Sequence, residues 1–114
     1  LSLNTENYQF LNNLPGYTIT APGSYTIQTI TAGTNVSVIL PSLNDSNLGE
    51  YRFTFLQSVS GIDQLEISFL DPTPTQITIG TLEYVILKAV KYLVQGSPEA
   101  FEYRYEEVRR GDLN

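Results

Sequence analysis

Residues 35–55 read NVSVILPSLNDSNLGEYRFTF, and this stretch decides the fold class. Apolar residues alternate with polar ones on both sides of a polar loop, which begins after Leu40-Pro41 and ends at Gly49. A period of two is typical of a half-buried β-strand, because successive side chains point to opposite faces of the strand. The stretch therefore predicts two strands, and the short connection between them favours a β-hairpin.

The same alternation recurs along most of the chain. Segments rich in Gly and Pro, such as Ala21-Pro22-Gly23 and Gly96-Ser97-Pro98, separate the apolar runs and predict turns. Short strands at this spacing are typical of sandwiches, jelly rolls and barrels. We therefore predict an all-β domain over residues 17–114, an antiparallel β-sandwich of jelly-roll-like architecture. Residues 1–16 are rich in Asn and end at Pro15-Gly16, and we expect an N-terminal extension or linker there.

Residues 82–94 fit two patterns. Their apolar residues have helical spacing, with Thr81 as a candidate N-cap and Gly96 beyond the end. They are also rich in β-branched and aromatic residues and lie between predicted strands, so we favour a strand. A strand with this sequence is apolar on both faces. It would need cover on one face from the core and on the other from a neighbouring sheet or subunit.

Composition limits the chemistry available to this chain. Its 114 residues suffice for one domain, and it has neither Cys nor His. Disulfides, thiolate metal sites and catalytic sets that use His are therefore excluded within the chain. We expect no enzymatic activity, no cofactor and no metal. Because the sequence also has no Met, we expect it to be a piece of a longer protein.

The charge of the chain makes two classes of partner unfavourable. Twelve acidic residues stand against six basic ones, which gives a net charge of −6. Such a charge repels phosphate backbones and anionic headgroups, so we expect no nucleic-acid and no membrane partner. The longest apolar run, residues 84–87, is also far shorter than the roughly 20 residues of a membrane-spanning helix.

The polar loop offers the most exposed candidate contact surface. Its oxygen-bearing residues could hold Ca²⁺, but they lack a bidentate Glu and the alternating spacing of known calcium loops. We therefore favour a turn in which these side chains bind their own backbone. Tyrosines of the last predicted strand could add an aromatic contact. The predicted contact surface consists of Asn44, Asp45, Ser46, Asn47, Tyr103 and Tyr105.

Two further sets of side chains have alternative interpretations. Tyr84, Tyr92, Tyr103 and Tyr105 could form a platform for sugar rings, although tyrosines in sheets more often fill cores and interfaces. The acidic residues could supply the carboxylate pair of a glycosidase, but we expect a solvated strand face instead. These acidic residues are Glu99, Glu102, Glu106 and Glu107.

A resemblance to viral proteins rests on residues 29–55. ITAGTNVSVILPS before the loop and LGEYRFTF after it resemble a repeated pattern in tail-fibre and head-fibre proteins of bacteriophages and other large DNA viruses. Residues 59–67 are similar to the next step of that pattern. Residues 84–87 and 91–94 are similar to its closing hairpin.

The resemblance implies a role as well as a fold. It implies a β-sandwich domain of a fibre head or capsid decoration, commonly a homotrimer, displayed on a virion and used for host attachment. The expected partners are copies of the chain, a capsid or fibre-shaft protein, and a glycan or protein receptor on the host. The alternatives are a carbohydrate-binding β-sandwich module and a bacterial surface adhesin domain, which would place the chain outside a cell or on its surface.

Overall fold

The computed structural model describes residues 8–12, 17–29, 36–57, 64–69, 75–96 and 100–113. In these ranges the chain forms nine strands and no helix, so the all-β class is confirmed. The strand that was favoured over a helix for residues 82–94 is confirmed as well, over Glu83–Val94. The strands are β1 (Tyr8–Asn12), β2 (Tyr17–Thr18), β3 (Gly23–Thr29), β4 (Val36–Ile39), β5 (Gly49–Gln57), β6 (Leu65–Phe69), β7 (Thr75–Ile79), β8 (Glu83–Val94) and β9 (Ala100–Asp112).

The strands form two sheets that pack face to face, which confirms the β-sandwich. One sheet has five strands in the order β1-β3-β5-β8-β9, and the other has four in the order β2-β4-β6-β7. No helix in the described ranges has the length and apolarity of a membrane span.

Both sheets are mixed, and this corrects the prediction of a purely antiparallel sandwich. From β1 to β6, successive strands alternate between the two sheets, and neighbours within each sheet run parallel. Parallel neighbours need a crossover between them, and here each crossover is a strand of the opposite sheet. Only β7, β8 and β9 pair antiparallel with their neighbours β6, β5 and β8.

Two hairpins predicted from the sequence are therefore wrong. The strands of residues 35–55 are β4 and β5, which lie in different sheets, so the polar loop crosses from one sheet to the other. Their apolar side chains face each other across the core instead of lying side by side. Residues 84–94 form one continuous strand, β8, whose antiparallel partner is β9, and not a closing hairpin.

The core is built from the predicted apolar faces of both sheets. Tyr25 of β3 pairs in register with Phe53 of β5, and their rings stack with centroids 5.5 Å apart. The side chains that alternate with the core residues point away from it, as the period of two requires. The core residues are Ile19, Tyr25, Ile27, Val36, Val38, Leu40, Tyr51, Phe53, Phe55, Leu65, Ile67, Phe69, Ile79, Val85, Leu87, Ala89 and Tyr105.

Part of the segment predicted as an N-terminal extension belongs to the sandwich. Residues 8–12 form β1, which pairs parallel with β3 at the edge of the five-stranded sheet. An N-terminal extension or linker was expected for this segment, whereas residues 8–12 pair with β3 as a strand of the sandwich. Residues 1–7 and 13–16 lie outside the described part of the chain.

The last two strands extend beyond the rest of their sheet. β5 begins at Gly49, which pairs with Ala89, so within the described part of the chain residues 90–94 of β8 pair only with β9. Their partners in β9 are residues 100–104. We call this two-stranded projection, residues 90–94 and 100–104, the arm. A two-stranded ribbon alone is marginally stable in water, so the stability of the arm depends on the contacts that it makes.

Candidate contact surface at the polar loop and the arm

The polar loop holds its own shape through side-chain oxygens. The Asn44 Oδ1 atom accepts hydrogen bonds from the backbone nitrogen of Ser46 at 2.8 Å and from its hydroxyl at 2.5 Å. The Asn47 Oδ1 atom accepts one from the backbone nitrogen of Asn44 at 2.9 Å. These contacts confirm the Asx-type turn, because the amide oxygens replace backbone acceptors inside the loop.

Buried tyrosine hydroxyls fix the loop to the sandwich. Tyr51 donates to the backbone oxygen of Asn47 at 2.7 Å, and Tyr105 donates to the backbone oxygen of Pro41 at 2.5 Å. The side chain of Asn47 is buried and donates to the backbone oxygen of Ser42 at 2.9 Å. Hydrogen bonds that satisfy buried polar groups hold a loop in one conformation. The loop is therefore a preformed surface.

Asp45 joins the loop to the arm. Its Oδ1 atom accepts hydrogen bonds from Lys91 Nζ at 3.0 Å and from the Tyr103 hydroxyl at 2.8 Å. The hydrogen bond from Lys91, followed by the one from Tyr103, holds the pKa of the Asp45 carboxyl below its ordinary value. The same contact with Asp45 raises the pKa of Lys91. Asp45 is therefore ionised, and its two hydrogen bonds hold the loop against the arm.

One face of the arm continues the core-facing side of the sheet. Lys91 pairs with Tyr103 and Leu93 pairs with Phe101, on the same side as the buried pair of Ala89 and Tyr105. The ammonium of Lys91 lies 4.3 Å from the centre of the Phe101 ring, within cation–π distance. Leu93 and Phe101 remain 53% and 59% exposed. We call this the inner face of the arm.

The opposite side of the arm, its outer face, has a similar composition. Tyr92 and Val94 are exposed there, and the guanidinium of Arg104 lies 5.1 Å from the centre of the Tyr92 ring. Arg104 also forms an ion pair with Glu102 at 2.6 Å, and the Tyr92 hydroxyl donates to Glu106. Each face therefore combines exposed apolar side chains with a cation held over an aromatic ring.

The structure brings the six predicted contact residues together but buries two of them. Asn44, Asp45 and Ser46 are exposed in the loop, and Tyr103 lies beside them through its contact with Asp45. Asn47 and Tyr105 lie at the same place but are only 6% and 7% exposed. Tyr105 packs against the rings of Tyr51 and Phe69 and belongs to the core.

The alternative sugar platform of four tyrosines does not form. Tyr84 and Tyr92 lie on one face of β8, whereas their counterparts in β9, Tyr103 and Tyr105, lie on the other face of the sheet. Of the acidic residues, Glu102 is half-buried and Glu107 is exposed, and each pairs with an arginine of its own strand, while Glu99 lies outside the described residues. The prediction of a solvated acidic face holds for Glu106 and Glu107, which are exposed.

Sequence reasoning missed three residues of this surface, namely Lys91, Leu93 and Phe101. Their shared position depends on the register between β8 and β9, which cannot be read from the sequence alone. One signal did point to them, because a strand apolar on both faces over residues 82–94 requires cover on both sides. That pattern identified the strand but did not identify residues 90–94 as its exposed end.

The described residues offer no metal centre of the usual kind. Among them no group of three or more acidic side chains is placed to hold an ion. The oxygens of Asn44 and Asn47 that could face a cation instead accept hydrogen bonds from the loop.

Comparisons with known proteins add no relative. No protein-family model, no curated protein and no solved structure matches this chain.

Proposed function

We propose that this domain is a non-enzymatic structural or attachment domain of a virion, a fibre head or capsid decoration, that acts as a homo-oligomer and most simply as a homotrimer. The single observation that carries the proposal is the arm. Tyr92 and Val94 on one face, and Leu93 and Phe101 on the other, are exposed on a ribbon for which the described residues provide no third strand along residues 90–94. Exposed apolar patches of this kind mark protein–protein contact sites.

The pattern of residues 29–55 supports the viral part of the proposal. The alternating strand that ends in Leu40-Pro41, the polar loop, Gly49 and the aromatic strand β5 are the elements that resemble fibre proteins. The expected partners besides further copies are a capsid or fibre-shaft protein and a host glycan or protein receptor. Weak contacts repeated in an oligomer gain strength through effective concentration, which would let a loop of modest affinity serve in attachment.

The electrostatics of the surface support a role without catalysis. A general acid or base works best with a pKa near the working pH. The pKa of Asp45 is instead lowered, away from the working pH, because Lys91 and Tyr103 stabilise its ionised form. Its oxygen is also occupied by two donors that tie the loop to the arm. The contacts of Asp45 therefore favour a structural role for this residue over a catalytic one.

Light scattering tests the proposal directly. At micromolar concentration we expect the domain to have three times the mass of a single chain. A mass equal to one chain would contradict the proposal. A display role further predicts that an antibody raised against the loop, residues 43–48, labels intact virions of the source virus without disruption of the particle.

A carbohydrate-binding module is the second candidate, and one observation favours it. The exposed Phe101 ring and the Asp45 carboxylate both contact Lys91 Nζ, at 4.3 Å and 3.0 Å, so an aromatic ring and polar groups that could bind a sugar lie on one surface. Glycan-array binding that Tyr103→Ala abolishes would favour this candidate. Tyr105→Ala is less informative, because Tyr105 is a core residue and its loss would disturb the fold.

A further inference from the structure

We infer that the arm is the device that assembles the oligomer, and that the inner face of one copy packs against the outer face of the next in a closed ring. The inference rests on the proposed homo-oligomeric function and adds the surface, the occupant and the geometry. The occupant of each face is a second copy of this chain. The contact is heterologous, so two different surfaces meet at every interface.

The need for cover on both faces comes first. Leu93 and Phe101 are exposed on the inner face, and Tyr92 and Val94 on the outer face. A two-stranded ribbon with apolar side chains on both sides resembles a strand of a buried sheet more than a surface hairpin. A partner that covered only one face would leave the other in water.

The charges of the arm favour a copy of the same chain as the occupant. The chain carries a net charge of −6, which opposes self-association over most of its surface. On the arm, however, the cations are neutralised locally, since Lys91 pairs with Asp45 at 3.0 Å and Arg104 pairs with Glu102 at 2.6 Å. Two copies can therefore approach through their arms without bringing unpaired like charges together.

The heterologous geometry follows from the number of contacts. A two-fold contact between two inner faces would cover one face of each arm and leave Tyr92 and Val94 exposed. Covering both faces with two-fold contacts needs two separate interfaces. One inner-to-outer contact, repeated around a ring, covers both faces of every arm with a single kind of interface.

A pair of single-face variants tests this geometry in the full chain. Phe101→Glu damages the inner face, and Val94→Glu damages the outer face. Each variant alone should have the mass of a single chain under conditions where the unaltered chain is oligomeric, because a charge buried in an apolar interface is costly. Val108→Glu is the matched control, since Val108 is 57% exposed but lies outside the arm, and it should leave the oligomer intact.

The mixture of the two variants gives the decisive result. The intact outer face of the Phe101→Glu chain meets the intact inner face of the Val94→Glu chain, so a concentration series of the mixture should yield a particle that contains one chain of each kind. If one variant alone stays oligomeric, a single face carries the contact and the heterologous ring is wrong. If both stay oligomeric, the arm is not the interface.

Cysteine cross-linking provides a second measurement that introduces no charge. The chain has no Cys, so Leu93→Cys on the inner face and Tyr92→Cys on the outer face create the only thiols. Under mild oxidation the mixture should form mixed disulfide dimers in excess over dimers of either variant alone, as read by mass spectrometry. Dominant dimers of one variant would instead indicate a two-fold contact. Unchanged circular dichroism in every variant excludes misfolding as the cause.

The outcome separates this inference from the proposed function. An oligomer that tolerates all arm variants would overturn the inference and leave the homo-oligomeric role standing. A single-chain mass for the unaltered domain would overturn both.

Discussion

Arg110 of β9 donates a hydrogen bond from its Nη1 atom to the backbone oxygen of Thr78 on β7, at 3.0 Å. Thr78 lies in the four-stranded sheet and Arg110 in the five-stranded one, so this contact joins the two sheets at the edge of the sandwich. Glu107 holds the guanidinium in place at 2.8 Å. The contact also occupies a carbonyl on β7, an edge strand whose free backbone groups could otherwise pair with another chain.

Removal of this contact should loosen the edge of the sandwich. We expect Arg110→Ala to lower the free energy of unfolding by about 0.5–1 kcal/mol, because the pair is partly exposed and screened by water. The backbone amides of β7 should exchange with solvent faster, as measured by hydrogen exchange. Arg110→Lys should recover only part of the loss, since an ammonium lacks the planar fork of donors. Arg109→Ala is the control and should leave β7 unchanged.

The two tyrosines of the contact surface should differ in their effect on stability. Tyr105→Phe removes the hydroxyl that binds Pro41 from a nearly buried position, and we expect a loss of about 1 kcal/mol in chemical denaturation. Tyr103→Phe removes a hydrogen bond to the exposed Asp45, and its effect should be clearly smaller. Equal losses for the two variants would contradict the assignment of Tyr105 to the core.

The buried hydroxyl of Tyr51 should make the protein sensitive to high pH. Burial raises the pKa of Tyr51 to about 12, from an ordinary value of 10.0. The folded protein therefore holds this proton more tightly than the unfolded chain does. The resulting contribution to stability is fully present below pH 10.0 and is lost as the pH rises through about 12.

Urea denaturation as a function of pH measures this effect. Between pH 10 and pH 12 the unaltered protein should lose more stability than Tyr51→Phe does, because the variant has no proton to lose at that position. At pH 7 the unaltered protein should be the more stable of the two, because Tyr51→Phe lacks the hydrogen bond to Asn47. Parallel pH profiles for the two proteins would show that Tyr51 ionises as freely as a tyrosine in water.

Gly49, where the polar loop enters β5, should not tolerate a side chain. Its φ is +138°, and a Cβ atom there would lie 3.2 Å from the side chain of Pro22. We expect Gly49→Ala to lower the free energy of unfolding by about 1–3 kcal/mol, because both the backbone conformation and the contact oppose it. Gly80→Ala is the control: its added Cβ would meet Glu83 at 3.4 Å, an ordinary contact, and we expect a change within about 0.5 kcal/mol in thermal unfolding.

The strands and their inward faces could be predicted because they depend on neighbouring residues. Val36 and Val38, like Leu65 and Ile67, alternate with polar residues, and all four are buried as the pattern requires. The Asx-type turn at Asn44 could be predicted for the same reason, since its hydrogen bonds join residues two or three positions apart.

The pairing of the strands could not be predicted in this way. An alternating strand buries the same side chains whether its neighbour runs parallel or antiparallel. The polar loop after Leu40 looked like the turn of a hairpin, because a crossover to the opposite sheet uses the same polar residues. Strand pairing distinguishes the two arrangements: β4 pairs with β2 and β6, whereas β5 pairs with β3 and β8.

The sequence by itself determined that this protein is an all-β domain, without Cys or His, whose inward-facing side chains are set by a period of two. The tertiary structure decided which sheet each strand joins, and it alone placed Asp45 against Lys91 and Tyr103. Those partners are 46 and 58 positions away along the chain. Alternation is a local property of the strand, whereas sheet order and the surface built on it depend on contacts between distant residues, which the pattern of neighbours does not encode.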